Sequence, residues 1–394
     1  MSGAGDLAMA LTAGGETRVS HTTPRAPIRV CLVGPSLDIL GGQAVQLQRL
    51  YNKLRDVPEL QVAFLPVNPR LPGPFRALQR VKYVRTIVTS IAYGWSLVRS
   101  LGRYDVAHCF SASYFSFVLA PLPAMVVARL YGKGVVLNYR SGQADDHLTR
   151  WPSALKQMRM AHAIVVPSGY LVDVFARFGL TAHSIFNFVD VDAIRFRRRE
   201  RVAPVFLSNR NFEPHYNVAC VLRAFGRVQH ELPEARLIVA GDGAERASLH
   251  ALAQQLGLRN VEWRGPVPPA EMASLYDAAD VYLNAPSIDN MPNSIIEAYA
   301  AGLPIVTTDA GGIPYIATHE QTALVVKTND DAALAAGALR LLREPGLAAR
   351  LADAGRRECL TKYVWPAVRD EWTRLYTRLT AQHAAAQARA AGAA

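Results

Sequence analysis

Asp289-Asn290-Met291-Pro292-Asn293-Ser294-Ile295-Ile296-Glu297 runs without a break into Ala298-Tyr299-Ala300-Ala301-Gly302-Leu303-Pro304, Ile305-Val306-Thr307-Thr308 and Asp309-Ala310-Gly311-Gly312-Ile313-Pro314. Two acids bracket a turn that contains Pro292. Asn293 and Ser294 are residue types that cap the helix behind them. Ile296, Ala300 and Leu303 recur at core spacing, and Gly302 with Pro304 just after it stops the helix. Ile305 to Thr308 is a short β-branched strand. The Gly311-Gly312 turn then opens toward a further helix. Turn, helix, strand and glycine turn fit within one βαβ unit, which predicts an α/β chain. Free N–H groups at a helix start attract phosphate, and a Gly-Gly turn lets phosphate approach the backbone. Glu297, one turn into the helix, is placed to accept hydrogen bonds from ribose hydroxyls. An ordinary helix–strand junction with surface acids is the alternative that this chemistry leaves open.

The same run resembles a known family. Asp289 and Glu297 have the i, i+8 spacing of the E-x7-E motif of retaining family-4 glycosyltransferases. The stretch from Glu297 to Val306 resembles that family's E-A-(apolar)-A-x-G-x-P-V-V run, and Asp309 to Pro314 its Gly-Gly phosphate loop. The first acid departs from the pattern, since Asp289 is one methylene shorter than Glu. The resemblance implies a GT-B fold, two Rossmann-like parallel α/β domains facing a central cleft. It implies retaining transfer of a sugar from a nucleotide-diphospho-sugar donor to a glycan or lipid-linked acceptor, with no metal or other cofactor required. Glu297 would hold the donor ribose and Asp289 would touch the donor sugar. Asn293, Ser294 and Ile295 would offer backbone N–H groups.

Bulk composition agrees with this class. The chain has 394 residues, half of them hydrophobic, enough for two domains with full cores. No run reaches the ~18 uncharged apolar residues of a membrane span. The nearest, Ser113 to Val127, contains Pro121 and Pro123. Residues 1–27 are polar, lack a charged segment leading into an apolar one, and are expected to form a flexible tail. Cys31, Cys109, Cys220 and Cys359 are scattered without metal spacing, as buried thiols of a cytoplasmic protein are. Net charge is +11, and between Glu59 and Asp145 the only acid is Asp105. Ten Lys and Arg residues fall in that span, interleaved with Phe75, Tyr83, Tyr93 and Trp95. Such a surface suits an anionic partner, and the inner face of the cytoplasmic membrane is the expected one. No nucleic-acid module is recognisable, so nucleic acid is not expected. A merely solvated basic surface is the alternative.

Taken in order, residues 28–192 read as an acceptor-side Rossmann-like domain. Ile28 to Val33 is a first strand, followed by Gly41-Gly42 and an amphipathic helix, which resembles the family's N-terminal Gly-Gly loop. From Arg76 to Leu101 apolar residues recur at three and four. That helix faces either the core or a membrane surface. His108 ends a strand that resembles the family's D-V-x-H segment, and it is expected either to face the cleft or to be structural. Arg140 stands where family members carry a histidine near the transferred sugar, and an arginine there suits an anionic group. Asn187 and Asp190 match the segment closing the first domain. A linker is placed at 193–203.

Residues 204–362 form a second, nucleotide-sugar-binding set. Its first strand leads into Asn209-Arg210-Asn211, where the family has an Arg and a Lys on the donor diphosphate. In one alignment Arg210 matches the arginine and His215 the lysine; in a second, Asn211 and Tyr216 take those two places, and Arg210 is the strong cation of the loop in either. Gly241 lies in a G-D-G turn. Gly265 and Val267 lie in a turn that in the family meets the nucleobase. The helix at 363–380 is expected to cross back to the first domain, and 381–394 to be a frayed tail. Two rival functions share this pattern, other GT-B chemistry such as epimerisation or phosphorolysis, and a non-catalytic membrane or polyanion binder.

Overall fold

The computed structural model describes residues 26–36, 42–71, 73, 82–111 and 113–392. Nearly all of the expected N-terminal tail, Gly41, and positions 76–81 of the helix expected over 76–101 lie outside these residues. Two six-stranded parallel sheets dominate. In the first, β1 (Ile28–Gly34), β2 (Leu60–Pro66), β3 (Val106–Ser111), β4 (Gly134–Tyr139), β5 (Ala163–Val166) and β6 (Ala182–Ser184) run in the order β2-β1-β3-β4-β5-β6. Around it lie α1 (Gly42–Arg55), α2 (Lys82–Ser100), α3 (Phe115–Leu119), α4 (Pro121–Leu130), α5 (Ala144–Arg150), α6 (Pro152–Met158) and α7 (Gly169–Arg177). Strands β3 and β4 are buried along their whole length. Both faces of these strands are covered, so they read as mostly apolar runs rather than alternating ones.

The second sheet holds β7 (Val205–Ser208), β8 (Arg236–Ala240), β9 (Val261–Gly265), β10 (Val281–Asn284), β11 (Ile305–Thr308) and β12 (Leu324–Val326) in the order β12-β11-β10-β7-β8-β9. Its helices are α8 (Val218–Glu231), α9 (Arg246–Gln255), α10 (Met272–Ala278), α11 (Asn293–Ala301), α12 (Asp331–Arg343) and α13 (Leu347–Lys362). Helix α11 is the element predicted from Asn293. It is buried on every side, and Gly302 stops it in the left-handed region at φ 72°. Each sheet reverses direction once, between β1 and β3 and between β7 and β10. Crevices for ligands open beyond the strand ends at such switch points.

Two features were not foreseen. The charged run at 195–201, within the expected linker, is fastened to the second domain. The Arg199 guanidinium is buried and donates to the carbonyls of Tyr276, Ala279 and Ala301 at 2.8 Å and of Gly302 at 3.0 Å. Arg197 donates to Asp280 at 2.5 Å. Four carbonyls at the ends of α10 and α11 are thereby satisfied, which explains an arginine run with no helical period. The last helix, α14 (Trp365–Gly392), also continues through most of the segment expected to fray. That segment is Ala-rich, and alanine is the strongest helix former. Val368, Trp372, Leu375, Tyr376 and Leu379 of α14 are buried in the core of the first domain with Val30, Leu32, Phe110 and Val136.

Candidate active site

A cavity of about 440 Å³ lies between the two sheets, a size suited to a small-molecule ligand. Its walls come from strand ends on both sides. The second domain contributes the loops after β7 (Asn209, Arg210, Asn211, His215, Tyr216), β8 (Gly241), β9 (Pro266, Val267) and β10 (Ile288 to Pro292), with Asn293, Ser294 and Glu297 of α11. The first domain contributes Gln43 and Arg49 of α1, the loop after β4 from Arg140 to Gln143, Pro167 and Asn187.

Both acids of the i, i+8 pair are engaged by arginines. Arg210 Nη2 donates to Asp289 Oδ2 at 2.5 Å, and its Nη1 donates to Ser294 Oγ at 3.0 Å. Burial is the largest influence and works against the Arg210 charge, but Asp289 together with Tyr216, Tyr282 and Tyr276 outweighs it and raises the pKa above its ordinary value. The guanidinium also lies 4.0 Å from the Tyr216 ring centroid, a cation–π contact. Across the cleft, Arg49 Nη2 donates to Glu297 Oε1 at 2.7 Å, while Tyr276 donates to Glu297 Oε2 at 2.8 Å. Arg49 Nη1 and Arg210 Nε are buried without a hydrogen-bond partner. Unmet guanidinium donors in a cavity wall call for an anionic oxygen.

Arg140 differs from the other two. No carboxylate pairs with it among the described residues, and burial lowers its pKa to about 10. Its Nη1 donates to Asn138 Oδ1 at 3.3 Å and its Nη2 donates to Asn187 Oδ1. Asn187 Nδ2 in turn donates to the Met291 carbonyl at 3.0 Å and to Asn293 Oδ1 at 2.9 Å. A single amide therefore ties Arg140 to the start of α11. Three arginines against two acids leave the wall with excess positive charge.

His108 does not face the cleft. It is fully buried between Phe110 and Trp372, with centroids at 5.0 and 4.8 Å. Asn138 turns its oxygen to Arg140, so its amide nitrogen donates to His108 Nε2 at 3.0 Å. His108 Nδ1 then carries the proton and donates to the Tyr376 oxygen at 2.7 Å. Burial, and next the nearby Arg140 charge, lower the His108 pKa to about 3. It positions Asn138, which positions Arg140.

Four further corrections concern α11 and the glycine turn. Neither Asn293 nor Ser294 caps α11; Pro292 occupies the N-cap position. Both side chains point into the cavity instead, where Asn293 Oδ1 accepts from Gln46 at 2.9 Å and Ser294 Oγ accepts from Arg210. The Ile295 N–H is spent on the Pro292 carbonyl at 3.2 Å. The Gly311-Gly312 turn leads into a single 3₁₀ turn, Ile313–Tyr315, rather than an α-helix. Gly311 and Gly312 are not in the cavity wall. A Cβ on Gly311 would lie 2.2 Å from the Asp289 carbonyl oxygen, and one on Gly312 2.1 Å from that of Asn290. The Gly312 N–H donates to the Asp289 carbonyl at 3.0 Å. The glycines brace the loop that carries Asp289. Gly241 works similarly, since a Cβ there would lie 2.2 Å from the Arg210 carbonyl oxygen. Gly265 lies behind Gly241, accepting from its N–H at 2.8 Å, and Gly42 begins α1.

Arg49, Gln43 and Gln46 are site residues that the sequence reading missed. Their signal is the polar face of α1, where Gln43, Gln46, Arg49 and Lys53 recur at three and four. Asp190-Val191-Asp192 has Asp-x-Asp spacing but is not in the wall, and Asp190 lies 3.8 Å from Lys53.

Residues 190–358 match the family model described as glycosyl transferases group 1. That match lies over the second domain and takes in less than half of the chain. This domain supplies Arg210, Asp289 and Glu297. The lipopolysaccharide core biosynthesis glycosyltransferase LpsD of Rhizobium meliloti is 33% identical over 153 residues, which is 39% of this chain and 44% of LpsD. LpsE of the same organism, also named a lipopolysaccharide core biosynthesis glycosyltransferase, is 25% identical over 60% of this chain and 71% of its own length. The match to LpsD thus spans less than half of that relative. In three dimensions, Anabaena HepE in complex with UDP superposes with a TM-score of 0.72 at 16% identity, over 89% of this chain and 100% of HepE. That likeness establishes the GT-B fold.

Proposed function

We propose that this protein is a retaining glycosyltransferase that moves a sugar from a nucleotide-diphospho-sugar to a glycan or lipid-linked acceptor, without requiring a metal. The observation that carries the reading is the convergence of Arg49, Arg140 and Arg210 on the start of α11 in one interdomain cavity. A leaving diphosphate develops negative charge, and preoriented guanidinium groups with a helix N-terminus stabilise it. Arg210 and Arg140 flank that terminus through Ser294 and Asn187. Glu297 retains lone pairs beyond those used by Arg49 and Tyr276, and these suit ribose hydroxyls. Asp289 and Glu297 are each held in an ion pair with arginine, so neither is poised as a free nucleophile. This supports same-face attack assisted by the leaving phosphate over double displacement. The names of LpsD and LpsE favour an acceptor among cell-envelope glycans.

The test is a thermal-shift screen of wild type and Glu297→Ala against UDP, GDP, ADP and their sugar conjugates. Ligand at 100 times its Kd adds about 2.7 kcal/mol. One nucleotide series is expected to stabilise the wild type and to lose its effect in the variant. No stabilisation by any of them would overturn the reading. With the donor known, NMR of the product anomer checks retention, and activity in excess EDTA checks metal independence.

A further inference from the structure

Helix α2 is apolar on two sides. One side is core, where Tyr93 and Leu97 are buried. The other faces solvent. Ile87, Ile91, Trp95 and Val98 are 62%, 68%, 66% and 51% exposed, and steps of four, four and three place them in one stripe. Neighbouring helices add to it. Phe115 on α3, and Leu130 on α4 with Tyr131 just after it, are also exposed. The Tyr93 hydroxyl donates to the Ala120 carbonyl at 2.7 Å and the Tyr131 hydroxyl to the Val98 carbonyl at 2.8 Å. These bonds bind α2 to both ends of α4, so the exposed face is rigidly presented.

The charge around the stripe is mostly positive; Asp146, which lies beside α3 through Tyr114, is paired with Arg150 at 2.8 Å. From Lys82 to Lys133 the only acid is Asp105, and Arg29 neutralises it at 2.7 Å. Arg85, Arg99, Arg103 and Arg129 are exposed. An apolar stripe with a tryptophan and a cationic border matches the boundary between anionic headgroups and acyl chains. Among the described residues no helix is long and apolar enough to cross a membrane, so α2 would lie on the surface.

We propose that the face formed by α2, α3 and α4 docks on an anionic lipid bilayer, with α2 in the plane of the interface. The proposal stands on this face alone. It deepens the transferase reading only by giving the acceptor an address.

Flotation of the full chain with phosphatidylcholine vesicles, with and without phosphatidylglycerol, tests it. Binding is expected only with phosphatidylglycerol and is expected to weaken as salt rises. Trp95 is the reporter. Its emission is expected to shift to the blue on binding, and Trp95→Phe is expected to lose that shift while the other four tryptophans remain. The double variant Ile91→Glu, Trp95→Glu is expected to bind at least tenfold more weakly while keeping the wild-type nucleotide thermal shift. Absence of binding to phosphatidylglycerol vesicles at low salt would overturn the proposal, as would undiminished binding by the double variant. A wild-type dimer that the double variant converts to a monomer would overturn it too, assigning the face to a second copy. Failure of the nucleotide screen with intact vesicle binding would sink the transferase reading and leave this one standing.

Discussion

Arg210 and Asp289 form a pair whose side chains are 9% and 12% exposed. Removing one partner of a buried pair leaves an uncompensated charge, at a cost of roughly 3–5 kcal/mol. Arg210→Ala is therefore expected to lower unfolding free energy by about 3 kcal/mol in urea titration and to abolish nucleotide stabilisation. Arg210→Lys keeps the charge but loses the fork that reaches both Asp289 and Ser294, so it should recover stability only in part. His108 gives a pH signature. Its folded pKa is about 3 and its ordinary value 6.5, so between those values the unfolded chain binds the extra proton. Its contribution is whole above pH 6.5 and is lost as pH falls toward 3. Each pH unit in that window corresponds to about 1.4 kcal/mol. Between pH 6.5 and 4.5 the wild type should lose about 2–3 kcal/mol more than His108→Phe, a variant that keeps the stack on Phe110 and Trp372. Parallel pH profiles that do not diverge would remove His108 from this role. The sequence placed Asp289, Glu297, Arg210 and Arg140 at strand and helix ends, where side chains meet the cleft. It could not place His108, read there as a strand end but lying inside β3, because whether a strand histidine faces cleft or core depends on which helix covers the strand.

At the scale of elements, α11 and its two flanking turns were legible because each carries a local signal: the Gly302 stop, the β-branched strand and the paired glycines. The purpose of the glycines was not legible, since a close approach by phosphate and a close approach by a neighbouring loop demand the same absence of a side chain. Substitution separates the backbone and steric contributions. Gly346 has φ +76° and open space around it, so Gly346→Ala should cost about 1–2 kcal/mol, the left-handed backbone penalty alone. Gly312 has an ordinary φ of −85° but no room, so Gly312→Ala must displace Asn290 and loosen Asp289. It is expected to be less stable than Gly346→Ala in urea and to weaken nucleotide binding, which Gly346→Ala should leave alone. Helix α1 shows the opposite failure. Its apolar face was read as amphipathic packing, while its polar face, which reaches Asn293 and Glu297, carries the site.

The whole molecule is joined at two levels. Across the cleft lie the contacts of α1 with α11, and Asn187 with Met291. Behind it, α14 leaves the second domain and seals the first. A chain ending at Lys362 would uncover Val30, Leu32, Phe110 and Val136, and it is expected to be aggregated in size-exclusion chromatography. A chain ending at Thr380 retains all five buried α14 side chains and is expected to remain monodisperse with wild-type nucleotide binding. Parallel domains of this kind were foreseeable from alternating strands and helices. The fastening of residues 195–201 was not, because carbonyl acceptors at helix ends leave no mark in sequence.

The return of α14 also sets a timetable. During synthesis the first domain leaves the ribosome while the helix that completes its core is still unmade. Roughly 170 residues must be added before Trp365 emerges, which takes about 10–35 s at the usual 5–20 residues per second. Throughout that interval the apolar flank of β1, β3 and β4 is open to the cell. The nascent chain is therefore expected to depend on chaperones, and its yield should follow translation speed and chaperone supply more than final stability.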